Sequence, residues 1–191
     1  VIERFFSEDR KVNLLWGVTG SGKTRVYTWI IERYLKEGKS AIVLVPEIAL
    51  TPQIFNYFSQ VFHDQAVFYH SRLSDSERRW VFKAVRSGEK KILIGPRSAL
   101  FLPVKDPGII IIDEEHDSSY KEIEGLPSYH ARDVAIKLAE LNDIKVLLGS
   151  ASPSLESYYR AKKGEYLLLN LPERVPQYRL PKVEIIDMRK R

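Results

Sequence analysis

Asn-Leu-Leu-Trp-Gly-Val-Thr-Gly-Ser-Gly-Lys-Thr, residues 13–24, places an apolar strand candidate, Asn13–Trp16, directly before Gly17-x-x-x-x-Gly22-Lys23-Thr24. That spacing completes the Walker A pattern of a phosphate-binding loop, and its context agrees. After Lys23, the apolar residues Val26, Trp29, Ile30 and Tyr34 follow helical spacing, and Gly38 closes the helix. Gly17, Gly20 and Gly22 let the backbone turn tightly and approach phosphate oxygens. The amides of the loop, Val18, Thr19 and Ser21 included, and the helix N-terminus then point at the anion. Lys23 is expected to reach the β- and γ-phosphates of ATP, and Thr24 to place its hydroxyl on Mg2+.

A second stretch fits the first. Four isoleucines, Ile109–Ile112, end abruptly in Asp113-Glu114-Glu115-His116. Carboxylates in that position stand at the carboxyl edge of a buried strand, where open parallel sheets bind ligands. Asp113 is suited to hold Mg2+ through water, and Glu114 to orient and deprotonate an attacking water. The catalytic candidates are therefore Lys23, Asp113 and Glu114, with Thr24 and Asp113 toward the metal.

Short apolar runs alternate with amphipathic stretches along the rest of the chain. Further strand candidates are Ala41–Val45, Ala66–Tyr69, Lys91–Ile94, Lys145–Leu148 and a short one at Tyr166–Leu169. Several are apolar on both faces, as strands between two helix layers must be. Ser74-x-x-Glu77 is a capping box opening a helix that ends at Gly88. Ala131, Val134, Ala135, Leu138 and Leu141 mark another helix, and Ser152-Pro153 reads as an N-cap with proline in the first helical position. The pattern predicts an α/β fold of the P-loop NTPase kind, a mostly parallel sheet with helices on both faces. Residues 1–170 form the ATP-binding body. Residues 171–191, with three prolines and a basic end, read as a connector or tail.

The 191 residues contain no cysteine, which excludes disulfides and thiolate metal sites, so no zinc is expected. No apolar run spans a bilayer, and no membrane partner is expected. The net charge of +5 is a mild pointer to a polyanionic partner. The chain begins without methionine and ends on Met-Arg-Lys-Arg, which suggests a piece of something longer.

These motifs resemble the helicase superfamily with a DExH (DEAH-box) acidic motif, and most closely the bacterial primosomal replication-restart helicases. The matching stretches are GVTGSGKT (17–24), VPEIALTPQ (45–53), FYHSRLSDSER (68–78), GPRSALFLP (95–103), IIDEEHDSSYKE (111–122), YHARDVA (129–135) and GSASPSLES (149–157). The resemblance implies the first of two RecA-like motor lobes in a cytoplasmic 3′–5′ DNA helicase that couples ATP hydrolysis to translocation on single-stranded DNA and unwinds stalled forks. Implied partners are single-stranded or forked DNA, a second motor lobe bearing an arginine finger, single-strand-binding protein and primosome proteins. By the same resemblance Pro46, Glu47, Thr51 and Gln53 fall in one DNA-contacting motif, and Arg97 and Ser98 in another. Tyr120 and Tyr129 flank a loop that senses DNA. Ser150, Ala151 and Ser152 form the motif linking hydrolysis to lobe movement, and His116 joins it to the ATP site. Pro96 stands where threonine is expected and offers neither amide nor hydroxyl. The stretch 123–129 lacks the family's frequent tryptophan.

Plainer readings stand beside these. Trp29, Trp80 and Phe82 read as core or helix-packing residues, and His70 and His130 as local hydrogen-bonding groups. Arg72, Arg78, Arg79, Lys83 and Arg86 read as a solvated charged face, with phosphate or missing-lobe contact as the alternative. Tyr120 is either a packing residue or a stacking platform. A different phosphate-loop enzyme such as a small nucleotide kinase, or a non-catalytic DNA-binding module, remain alternatives for the whole chain. Without a second lobe the chain itself is expected to be nearly inactive.

Overall fold

A computed structural model describes residues 1–49, 51–123 and 125–174. The elements run α1 (Ile2–Ser7), β1 (Val12–Gly17), α2 (Lys23–Lys36), β2 (Ser40–Leu44), α3 (Pro52–Phe62), β3 (Ala66–Phe68), α4 (Asp75–Ser87), β4 (Ile92–Gly95), β5 (Pro107–Asp113), β6 (Lys121–Glu122), β7 (Tyr129–His130), α5 (Ala131–Leu141), β8 (Lys145–Ser150), α6 (Leu155–Lys162) and β9 (Leu167–Leu171). Seven strands form one sheet in the order β3-β4-β2-β5-β8-β1-β9, with every pair parallel. β6 and β7 form a separate antiparallel pair.

Strand periodicity explains the two layers. Side chains alternate across a strand. Ile109 and Ile111 face one side with Leu15, Val43 and Ile94, against Phe5 of α1, Ile30 of α2 and Phe58 of α3. Ile110 and Ile112 face the other with Leu14, Leu44 and Leu93, against Val85 of α4, Ala135 of α5 and Ala161 of α6. All four isoleucines are fully buried, which a helix layer on each face requires. No helix among the described residues is long and apolar enough to cross a membrane.

The capping box at Ser74 is present, with the Glu77 carboxylate accepting from the Ser74 amide and Gly88 ending α4 in the left-handed region. Three expectations change. The N-cap of α6 is Ser154, whose hydroxyl accepts from the Ser157 amide, rather than Ser152. Pro153 separates the two serines, and the Ser152 hydroxyl lies against His116 instead. Trp29, Trp80 and Phe82 are exposed rather than core. The buried stripes use Val26, Tyr27, Ile30 and Ile31 on α2 and Val81, Ala84 and Val85 on α4, so these rings point outward. Trp29 lies under the Arg25 guanidinium. The strand expected at Tyr166–Leu169 extends to Leu171 and makes the sheet edge beside β1. The tail from residue 175 onward lies outside the described residues.

Ile111 sits at the centre of this sheet, so Ile111→Ala should lower the unfolding free energy by about 2–5 kcal/mol. Urea unfolding followed by circular dichroism measures it, and a loss well under 1 kcal/mol would contradict the packing described.

Candidate nucleotide and nucleic-acid site

β1, β8 and β5 are adjacent and parallel, so their carboxyl ends share one edge. Trp16 lies opposite Ser150, and Asp113 opposite Gly149. From that edge spring the phosphate loop, the acidic turn and the loop after β8. Gly22 caps α2 at φ +88°, a left-handed conformation that favours glycine. Lys23 folds back so that its Nζ donates to the Gly17 carbonyl at 3.0 Å, and it lies 3.8 Å from Glu114 Oε1.

Beneath the loop, Tyr27 donates its hydroxyl to Asp113 Oδ1 at 2.7 Å. Gly149 makes this possible, because a Cβ there would collide with the Tyr27 hydroxyl. Burial pushes the Asp113 carboxyl above its ordinary range, and the Glu114 charge adds to that, while the Tyr27 bond and Lys23 oppose it. Burial, then Asp113, pushes the Tyr27 hydroxyl far up, so it stays a donor.

Glu114 adopts φ +47°, uncommon for a residue with a side chain. Its carboxylate lies between Lys23 and His116, with Oε2 3.7 Å from His116 Nδ1. His116 in turn meets Ser150 Oγ through Nδ1 at 2.8 Å and Ser152 Oγ through Nε2 at 3.4 Å. The Ser152 amide donates to Ser150 Oγ, and Trp16 Nε1 donates to the Ala151 carbonyl at 3.1 Å. Lys23, Glu114, His116 and the 150–152 loop thus form one line of contacts.

Glu115 escaped the sequence reading, which gave roles to Asp113 and Glu114 and none to it. It is 1% exposed. Its Oε1 accepts from the Ser154 amide at 2.6 Å, and its Oε2 from the Ser154 and Ser157 hydroxyls at 3.0 and 2.9 Å. Arg132 Nη1 lies 3.4 Å from the same oxygen. The carboxylate therefore pins the acidic turn to the first turns of α5 and α6. The available signal was Ser154 and Ser157 at capping spacing, with an arginine in the preceding helix.

A cavity of about 620 Å³ is lined by residues 19–25, Asp113, Glu114, Gln53, Ile54 and Tyr57. Its size suits a nucleotide. The donor set fits phosphate: the Ser21 hydroxyl is buried beside Lys23 without a partner among the described residues, and the loop stands at a helix N-terminus. It also fits Mg2+, which takes one or two protein oxygens and completes its shell with phosphate and water. Thr24 and Asp113 offer those oxygens at the wall of the cavity.

A second cleft lies over the ends of β2, β3 and β4, lined by Glu47, His70, Pro96, Arg97, Ser98 and Tyr129 among others. It gathers much of the set expected to touch DNA, with corrections. Gln53 lines the nucleotide cavity instead, because it lies in the first turn of α3 facing the phosphate loop. The Thr51 hydroxyl is the α3 N-cap, and Pro46 is buried. Tyr120 is fully buried and donates to the Asp113 carbonyl at 2.6 Å, so it is a packing residue and not a stacking platform. Arg97 donates to the carbonyls of Ser119 and Lys121 and pairs with Glu122 at 2.6 Å, bracing the 118–122 turn. Arg78 is likewise tied, to the Leu73 and Ser71 carbonyls. His130 caps α5 through Nδ1, as a local group should, whereas His70 Nδ1 is buried without a partner among the described residues.

The chain matches the family model described as type III restriction enzyme, res subunit, over residues 1–155. It is 51% identical over 187 residues to the replication restart protein PriA of Bacillus subtilis (strain 168), covering 98% of this chain and 23% of that protein. To the replication restart protein PriA of Chlamydia pneumoniae it is 48% identical over 176 residues, covering 92% and 24%. The chain thus spans about a quarter of the length of these curated relatives. Among solved structures, RecG bound to a three-way DNA junction superposes with a TM-score of 0.67 at 22% identity, covering 93% of this chain and 23% of that one. The helicase domain of Pyrococcus furiosus Hef gives 0.63 at 20% identity, covering 92% and 38%. These likenesses establish the fold, a RecA-like α/β domain.

Two variants probe the buried charges. Asp113 binds a proton more readily folded than unfolded, so its contribution favours folding as pH falls through the raised value and opposes it above. Asp113→Asn should therefore raise the melting temperature of the ligand-free chain at neutral pH, measured by calorimetry. Glu115→Ala should cost about 3–5 kcal/mol in urea unfolding, because the half-buried Arg132 and the Ser154 and Ser157 hydroxyls lose their shared acceptor.

Proposed function

The chain belongs to the family of the type III restriction enzyme res subunit, and on that premise we propose that it is the ATP-binding motor lobe of a DNA helicase serving replication restart. The observation that carries this reading is the contact line from Lys23 through Glu114 and His116 to Ser150 and Ser152. It joins the phosphate loop to the loop after β8 by side chains alone, so a change at the γ-phosphate has a route outward. A nucleotide kinase would have no use for that route.

ATP is held with its phosphates over the amides of residues 19, 20 and 22–24, because the Val18 and Ser21 amides already donate to the carbonyls of Leu171 and Val18. Lys23 leaves the Gly17 carbonyl for the β- and γ-oxygens, and Ser21 donates its free hydroxyl. Bound Mg2+ would neutralise the β- and γ-oxygens, with Thr24 and Asp113 as its protein-side oxygens. Glu114, released from Lys23 by that movement, accepts a proton from the attacking water. His116 reports the change in Glu114 to Ser150 and Ser152. In-line phosphoryl transfer is mainly positioning and charge stabilisation, and loss of an arginine finger slows it by about 10³–10⁵. In this reading the finger comes from a second lobe, which closes on this one.

The cleft over β2, β3 and β4 then receives the backbone of single-stranded DNA, with Glu47, Ser98 and Tyr129 at its wall and Arg97 holding its shape. The relatives' name supports a role in replication restart; we extend it to action at stalled forks in the bacterial cytoplasm, 3′–5′ translocation, and a second lobe, single-strand-binding protein and primosome proteins as partners. Within this reading, residues 171–191 lead from the motor body toward that lobe.

The chain should bind a fluorescent ATP analogue with Mg2+ and hydrolyse ATP very slowly, with or without DNA. Lys23→Ala should weaken that binding at least about tenfold, the effect of removing roughly 1.4 kcal/mol of charge-assisted contact. Unchanged binding in that variant, or fast DNA-stimulated hydrolysis by the unmodified chain, would overturn the assignment.

A further inference from the structure

Next to the edge cleft, the outer face of α4 and the turn Arg97–Phe101 enclose a second hollow. Phe82, Phe101 and Leu102 contribute its apolar surface. Phe82 is 43% exposed and Phe101 58%, so neither ring is committed to the core. Arg79, Lys83 and Arg86 also line it, spaced at four and then three residues, which sets them on one side of the helix. All three are exposed. None forms an ion pair among the described residues, and no carboxylate lines the hollow. Aromatic rings in water, edged by unpaired cations, mark a surface that meets an anionic partner with flat apolar parts.

The hollow is continuous with the edge cleft. Tyr69, Arg78 and Ser98 line both. Phe101 packs edge-on against Tyr129 of the cleft, with ring centroids 5.2 Å apart. We propose that the hollow is an extension of the single-strand track, in which bases leaving the edge cleft stack on Phe82 and Phe101 while Arg79, Lys83 and Arg86 neutralise their phosphates. This rests on the reading of the edge cleft as a DNA site. Duplex DNA would present only phosphate and sugar to the rings. An acidic peptide would satisfy the charges but would not account for the shared wall, whereas one continuous strand occupies both spaces.

Anisotropy titrations of the chain with single-stranded oligonucleotides of about 8 and about 16 nucleotides, within the usual range of single-strand site sizes, across a salt series test this. The longer oligonucleotide should bind more tightly. The triple variant Arg79→Ala, Lys83→Ala, Arg86→Ala keeps helix-forming residues on an exposed face, so α4 should persist, as circular dichroism checks. It should lose about 2 from the log–log salt slope on the longer strand, about 0.7 for each phosphate no longer contacted, and leave the shorter strand unaffected. Phe82→Ala should weaken the longer strand roughly 5- to 150-fold. Wild-type slope and affinity in both variants would overturn the extension while leaving the edge cleft intact. Failure of the unmodified chain to bind either length would instead defeat the DNA reading of the cleft. Protection of Phe82 by an acidic peptide that leaves DNA binding unchanged would assign the hollow to a protein partner and overturn the proposal.

Discussion

The parallel pairing of β8 with β1 on one side and β5 on the other fixes everything that happens at the sheet edge. The three strands end near residues 17, 113 and 150, far apart in the chain, yet their hydrogen-bonded register sets Trp16 against Ser150 and Asp113 against Gly149. Parallel neighbours need a crossover between them, so the helices lie on the faces and the strand ends stay free. The phosphate loop, the acidic turn and the 150–152 loop therefore stand within a side chain of one another without any loop having to reach. Everything catalytic in the proposed mechanism is a consequence of that ladder.

What the edge holds is costly to hold. Asp113 is a buried carboxyl whose ionised form is disfavoured, and its main partner is a phenol that cannot neutralise it. Glu114 takes up a backbone angle that side chains avoid. These features weaken the ligand-free fold and suit a site that gains its missing charge when a metal and phosphates arrive. Glu115 does the opposite. Fully bonded to Ser154, Ser157 and Arg132, it makes the turn carrying the strained residues rigid. Two adjacent glutamates in one motif thus differ in kind, one placed for the proposed chemistry and one bonded for stability.

Much of this was legible in the sequence. The isoleucine run, the phosphate loop and the glycine-ended helices follow from periodicity and turn chemistry, which act over a few residues. The misreadings have one cause: which way a side chain points once elements pack. Tyr120 looked like a loop residue, yet the 118–120 turn folds its ring under β5. Gln53 shares a motif with Glu47, but α3 begins between them and turns the two toward different cavities. Trp29 is apolar at near-helical spacing, yet Val26, Tyr27, Ile30 and Ile31 already fill the inner face of α2. Glu115 reads as one of three acids in a row, and only the arrival of α5 and α6, from residues 132 and 154, shows that it is enclosed. Such facts depend on contacts distant in sequence, which no local pattern carries.

β9 has a mechanical meaning. Among the described strands it pairs with β1 alone, and it ends at Leu171, whose carbonyl accepts from the Val18 amide of the phosphate loop at 3.3 Å. Because the two strands run the same way, tension on the chain beyond Leu171 loads their whole hydrogen-bond ladder in shear, together rather than one rung at a time. The first residue beyond that ladder to feel the load is Val18. The sheet edge is thus a stiff lever whose tip rests on the phosphate loop, so that in the proposed mechanism pulling on the chain after β9 and releasing a phosphate act on the same peptide group from opposite sides.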